Sequence, residues 1–151
     1  MNATDLVRTL FDAVPVHRTL GLTVRHAIDG VAAVELLTVP ALRNVIGSLH
    51  SSGLIALIDA AGLGAIVSAA TEPAQVADIV PLGAAASLTF RAPARGVLVA
   101  RCALTADERR ELGKVFSGAA KRIRTVTAAA VTDDAGVVVC EGTFEWSVRR
   151  R

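Results

Sequence analysis

The 151-residue chain suits one domain with a single core, large enough to need no disulfide or metal staple. Its 16 Lys+Arg stand against 14 Asp+Glu, a net charge of +2 that offers no basic face for nucleic acid, and 3% aromatic residues leave little material for base stacking. Cys102 and Cys140 lie in apolar stretches without CxxC spacing and are expected as buried free thiols, while the opening MNATDLVRTLFDAV has no secretory pattern, so the expected location is cytoplasmic.

Leu6, Leu10, Phe11 and Val14 recur at helical spacing after Thr4, a candidate cap, and predict a short amphipathic helix over 4–14 that Pro15 helps to end. Residues 21–28 alternate Leu22, Val24, His26 and Ile28, turn at Asp29-Gly30 and return over 31–39, the pattern of an antiparallel hairpin closed by Pro40. A polar loop with Asn44, Gly47, Ser48 and His50 leads through Ser51 and Ser52, either of which could act as a cap, into a long helix over 52–70. Between Gly53 and Ala70 the only charged residue is Asp59. The stretch approaches the length of a membrane span, but it is rich in Ala and Gly. A mid-span Asp would cost roughly 2.5–3.5 kcal/mol, and no basic flank marks a cytoplasmic side, so no membrane is expected. A helix apolar nearly all round must instead be enclosed by other structure.

Strands are expected over 85–91, 96–104, 122–132 and 137–148, the last two joined by a turn at Asp133-Asp134-Ala135-Gly136. Thr105-Ala106-Asp107-Glu108 reads as a capping box that starts a polar helix carrying Leu112 and Phe116. With the first hairpin this makes about six strands in an α+β plan: a curved antiparallel sheet around one buried helix, within a single domain spanning 1–151. That is the hotdog architecture.

Asp59 stands out physically. A carboxylate enclosed by apolar side chains loses hydration worth several kcal/mol, so it is neutral, paired or functional, and desolvation moves its pKa toward the working range of a general base. The bland alternative is a protonated or hydrogen-bonded core Asp. The segment around it, Asn44-Val45-Ile46-Gly47-Ser48-Leu49-His50-Ser51-Ser52-Gly53 followed by Leu54 to Gly62, resembles the signature of the phenylacetate-pathway (PaaI-like) and medium-chain thioesterase branch of the hotdog superfamily: Asn, five residues, His-Gly-Gly, and an acidic residue nine after the His. Leu20-Gly21-Leu22-Thr23-Val24 and Leu88-Thr89-Phe90-Arg91-Ala92-Pro93-Ala94 look similar to flanking blocks of that branch. The Thr143-Phe144-Glu145-Trp146 ending and the helix inserted after the fourth strand look most like its DUF4442-type subgroup. Ser51 and Ser52 replace the two glycines, and Gly53 follows.

The resemblance implies an acyl-CoA thioesterase that needs no cofactor beyond water and works as a homodimer or homotetramer, with the site at the subunit interface. Asp59 would be general base or nucleophile, while the Ser51 N–H and Asn44 polarise the thioester carbonyl, and His50 donates to that carbonyl or holds the loop. Ser52 and Gly53 would line the substrate, and Ser87 would position water. Arg91 and Arg95 flank Pro93 where a strand ends, and their guanidinium groups could either hold CoA phosphates or form a solvated strand end. Asn44 also has an ordinary role open to it, closing its own turn. Metal-ligand spacing is absent, so no metal is expected. The alternative function is a non-catalytic acyl-binding module of the same fold, in which Ser51-Ser52 marks lost activity.

Overall fold

The computed structural model describes residues 2–151. In chain order the elements are α1 (Ala3–Ala13), α2 (Pro15–Leu20), β1 (Thr23–Ile28), β2 (Val31–Leu37), a 3-10 turn (Pro40–Leu42), α3 (Ser51–Ser68), α4 (Pro73–Ala77), β3 (Ile79–Phe90), β4 (Val97–Ala103), α5 (Ala106–Phe116), β5 (Arg122–Thr132) and β6 (Val138–Arg150). The six strands form one antiparallel sheet in the order β1-β2-β4-β5-β6-β3, wrapped around α3. This is the hotdog fold.

Small residues let the sheet close on the helix. A Cβ on Gly62 would stand 2.5 Å from Thr127 Oγ1 and 3.3 Å from the Trp146 ring, and one on Gly64 would stand 3.1 Å from the Ala32 methyl. Thr127 and Trp146 are joined beneath the helix by a buried hydrogen bond, Trp146 Nε1 donating to Thr127 Oγ1 at 2.9 Å. Leu57, Ile58 and Ile66 are fully buried among Leu36, Leu98 and Val131. By length and composition α3 could cross a membrane, but 67% of it is buried inside the sheet, the state expected of a core helix. Both cysteines are free and buried, and burial pushes the Cys102 thiol up to about 12.

The turns follow their local chemistry. Asp29 and Gly30 take φ of 49° and 78°, the left-handed pair that a two-residue hairpin requires. Asp133 Oδ1 accepts from the N–H groups of Ala135 and Val137, both at 3.0 Å, and closes the last hairpin. At α5 the capping box forms as expected, the Glu108 N–H donating to Thr105 Oγ1 at 3.2 Å and the Thr105 N–H to Glu108 Oε2 at 2.6 Å.

Four expectations need correction. Asn2, not Thr4, caps α1, its Oδ1 accepting from the Asp5 N–H at 2.9 Å. Thr4 is turned inward, where its hydroxyl donates to Ala27 O and accepts from the Ala27 N–H, clamping α1 onto β1. Pro15 begins a second helix, since its fixed φ and missing N–H suit a first helical position. Neither serine caps α3; the cap is His50. Finally, β3 starts at Ile79 rather than at 85, running through Pro81 and Gly83. An edge strand tolerates a missing N–H, and at Gly83 the ring of Phe144 fills the place of a Cβ, at 2.5 Å.

Candidate active site

The loop before α3 is built by its own polar groups. Asn44 Oδ1 accepts from the N–H groups of Ile46 and Ser48, both at 3.1 Å, so its carbonyl end is spent on closing the turn while its amide N–H groups have no partner among the described residues. Buried Ser48 ties this loop to the chain after β3, its Oγ accepting from the Ala94 N–H at 2.8 Å, and the Leu49 N–H donates to Ala94 O at 2.7 Å. His50 then caps α3. Its Nδ1 accepts from the Ser52 N–H at 3.1 Å and lies 2.8 Å from Ser52 Oγ. With Nδ1 accepting, the ring presents an N–H at Nε2 as its donor.

The Gly53 and Leu54 N–H groups turn back to His50 O. Ser51 is therefore the one first-turn residue whose N–H has no partner among the described residues, and it sits at the positive end of an 18-residue helix. Neither Ser51 nor Ser52 has a positive φ, so neither position requires glycine, and both are exposed. Gly53 is needed for packing, since a Cβ there would stand 2.7 Å from the Leu49 side chain. Beside this helix end opens a hollow of about 280 Å³, with His50, Ser52, Gly53 and Arg43 on its wall.

Asp59 lies two turns further along α3. One face of the helix escapes the sheet: Ser52 and Ile55 are exposed, and Ala56, Asp59 and Leu63 are half-buried, at the i, i+3, i+4, i+7 and i+11 spacing of a single stripe. Asp59 accepts no hydrogen bond and makes no ion pair among the described residues. Burial alone raises its pKa from 3.8 to about 6. Eight residues separate it from Ser51, or ~12 Å at 1.5 Å per residue, so the donor and carboxylate of one chain cannot meet at a single carbonyl. A site using both needs two copies.

The more distant candidates divide. Arg95 Nη2 donates to Ile46 O at 3.0 Å, which places it against the Asn44 loop. Arg91 is engaged with Glu141, its Nε donating to Oε1 at 3.0 Å, with both side chains about half exposed. Ser87 is turned away from α3. It pairs with Thr143, which pairs with Ala128, and Ala128 is exposed between inward-facing Thr127 and Ala129, so all three lie on the outer face of the sheet. Register decided this outcome, because a shift of one residue along β3 exchanges the two faces. Sequence reasoning missed Ser48 and Arg43. Arg43 was detectable as the cation next to Asn44, but nothing distinguished Ser48 from any other loop serine. No cluster of potential metal ligands occurs among the described residues.

Comparison with known proteins agrees with this architecture. A model of the DUF4442 family, described as a domain of unknown function, matches residues 4–148. No match was found among curated proteins. Among solved structures, a Pseudomonas aeruginosa protein of unknown function, described as a probable thioesterase, aligns with a TM-score of 0.80 at 22% identity over 97% of this chain and 95% of its own. A thioesterase family protein from Silicibacter pomeroyi aligns at 0.76 and 20% identity, covering 97% of each chain. The E. coli PaaI protein of the phenylacetic acid degradation operon aligns at 0.70 and 15% identity over 97% of this chain and 91% of its own. At such identities the likeness speaks for the fold, whereas the family match runs nearly end to end: the chain belongs to the DUF4442 family and carries the hotdog fold of thioesterase-type proteins.

Proposed function

We propose that the protein is an acyl-CoA thioesterase acting as a homodimer, or a dimer of dimers, with Asp59 as the working carboxylate. The observation that carries this reading is Asp59 itself, the one charged group of α3, unpaired among the described residues and half-open on the helix face that the sheet leaves uncovered. A structural carboxylate in such surroundings would have a hydrogen-bond partner.

In this reading Asp59 of one copy takes a proton from water as the water oxygen bonds to the thioester carbon. The carbonyl electron pair moves onto oxygen, and the Ser51 N–H of the second copy, with His50 Nε2–H nearby, receives the oxyanion. The carbonyl re-forms, the C–S bond breaks, and the departing thiolate recovers the proton from Asp59. A base with a pKa near 6 is ionised at neutral pH yet still basic enough to accept the proton. Asn44 keeps the loop in shape and offers its amide N–H. Arg95 is better placed than Arg91 for CoA phosphates, having no carboxylate partner among the described residues. Because Ser51 and Ser52 keep their backbone N–H groups in unstrained helix, the replacement of two glycines gives no reason to prefer a non-catalytic acyl-binding module.

The exposed edge strand β3 supplies the seam between copies in this reading, since residues 82–87 are all exposed. The test is a panel of CoA thioesters assayed for free thiol. Release of CoA that disappears in Asp59→Asn supports the proposal, and binding without turnover across the panel overturns it in favour of the acyl-binding module.

A further inference from the structure

An apolar hollow lies one helical turn from Asp59. It measures about 470 Å³ and runs between α1, α4, the second half of α3 and the start of β3. That volume is within the roughly 300–1,000 Å³ typical of small-molecule sites. Leu63 and Val67 of α3 face Leu10 and Phe11 of α1 across it, with Ile79 and Pro81 of β3 behind. Leu63 also belongs to the half-open stripe that carries Asp59, four residues on, so the hollow continues the face on which the carboxylate stands.

Resting on the thioesterase reading, we infer that this hollow receives the acyl chain of the substrate, and that the chain is an unsubstituted aliphatic one of medium length. Its wall decides the class. Apart from Arg151, every side chain that lines it is hydrocarbon. Away from Arg151 a hydroxyl on the chain would enter without a side-chain hydrogen-bond partner, a cost that disfavours it by up to about 10²-fold. Length follows from the helix. Asp59 to Val67 spans ~12 Å along α3, the reach of an extended chain of roughly eight to ten carbons beyond the reacting carbonyl.

The inference also gives α1 a task. This helix lies outside the sheet, held by the Thr4 clamp and by Arg8, whose Nε donates to Val24 O at 3.1 Å. Without it the cavity would be an open shelf on α3. α4 forms the opposite wall, fixed by its own capping box between Glu72 and Gln75.

The test fills the cavity from positions outside the core. Ala13 and Val76 line it, the first exposed and the second half-buried, so Ala13→Trp and Val76→Phe add bulk without disturbing buried packing. Straight-chain CoA thioesters from acetyl to palmitoyl are assayed with wild type and both variants. In parallel, binding of a non-hydrolysable decyl-CoA thioether is measured by calorimetry, and mass by light scattering. The expected result is a wild-type optimum at medium chains. Each variant should lower kcat/KM for decanoyl-CoA at least tenfold while leaving acetyl-CoA within twofold. Unchanged chain-length profiles overturn the pocket and leave the hydrolase reading standing. Absence of hydrolysis, with decyl-CoA bound by wild type and lost in both variants, removes the hydrolase reading and keeps the pocket. Failure of wild type to bind decyl-CoA overturns the pocket, as does a fall in assembly mass in the variants, which would make the hollow a seam between copies.

Discussion

Replacing Asp59 by Asn keeps the side-chain volume and removes the charge. Burial raises the carboxyl from 3.8 to about 6. At ~1.36 kcal/mol per pK unit, ionising it in the fold costs at most about 3 kcal/mol more than in the unfolded chain. Asp59 is only half-buried, and the water that reaches it screens this to about 2 kcal/mol. The sign sets a pH window. Below 3.8 both states are protonated and no penalty applies. As pH rises toward 6 the unfolded chain ionises first, so wild-type stability falls through the window and stays lowered above it. Asn cannot ionise, so the variant should match wild type near pH 4 and melt about 4–8 °C higher at pH 7.5, from the usual ~2–4 °C per kcal/mol in a chain of this size. Activity should move the other way. Wild-type kcat falls as pH drops through about 6, and the variant loses ~10²–10⁴-fold at every pH. Scanning calorimetry at four pH values, paired with the thiol-release assay, reads both. A variant that melts lower than wild type at pH 7.5, or whose advantage is the same at pH 4, would show that Asp59 has a structural partner, and the catalytic argument would fall with it.

Four further outcomes are expected. Ser51→Pro deletes one N–H at the first helical position, where Pro is well tolerated, so the fold should hold while kcat drops ~10²–10³-fold; Ser51→Ala should stay near wild type, and equal activity in both variants rules the N–H out. Light scattering at micromolar concentration should give at least a dimer mass, and Ala84→Glu, which adds charge to β3, should lower it; a wild-type monomer removes the shared site. Gly62→Ala drives a methyl against Thr127 Oγ1 and the Trp146 ring, and urea unfolding should show a loss of about 1–3 kcal/mol, whereas an unchanged midpoint would mean that α3 is not held against β5 and β6 as described. Arg95→Ala should raise KM for a CoA thioester more than Arg91→Ala, whose guanidinium is already engaged by Glu141, and equal effects would undo that distinction.

Much of the fold was legible because its signals are local. Alternation marked six strands, Asp29-Gly30 and Asp133 to Gly136 marked turns, and an apolar stretch with one carboxylate marked the central helix. What escaped depends on partners distant in sequence. Thr4 looks like a cap until Ala27, 23 residues away, offers its main chain. The start of β3 was hidden because Pro81 and Gly83 argue against a strand, and only edge position and the Phe144 ring make them acceptable. At the site, the motif marked Asn44, His50, Ser51 and Asp59, and the structure adds what each is bound to among the described residues: Asn44 to its own turn, His50 to Ser52, Ser51 and Asp59 to nothing. Ser87 was read from position along a strand, and strand position without register cannot assign a face.

The edge strand β3 bears on how the protein would fare in a cell. Twelve residues long, it contains no charged residue and keeps one side of its main chain unpaired, lacking the lysines and glutamates that usually blunt such edges. A copy left without its mate would offer that ribbon to any other unfinished strand. Variants that weaken the pairing should therefore be recognised by low yield, protease sensitivity and insoluble material, and only secondarily by a slower reaction. Abundance, more than specific activity, would then report on the health of this surface.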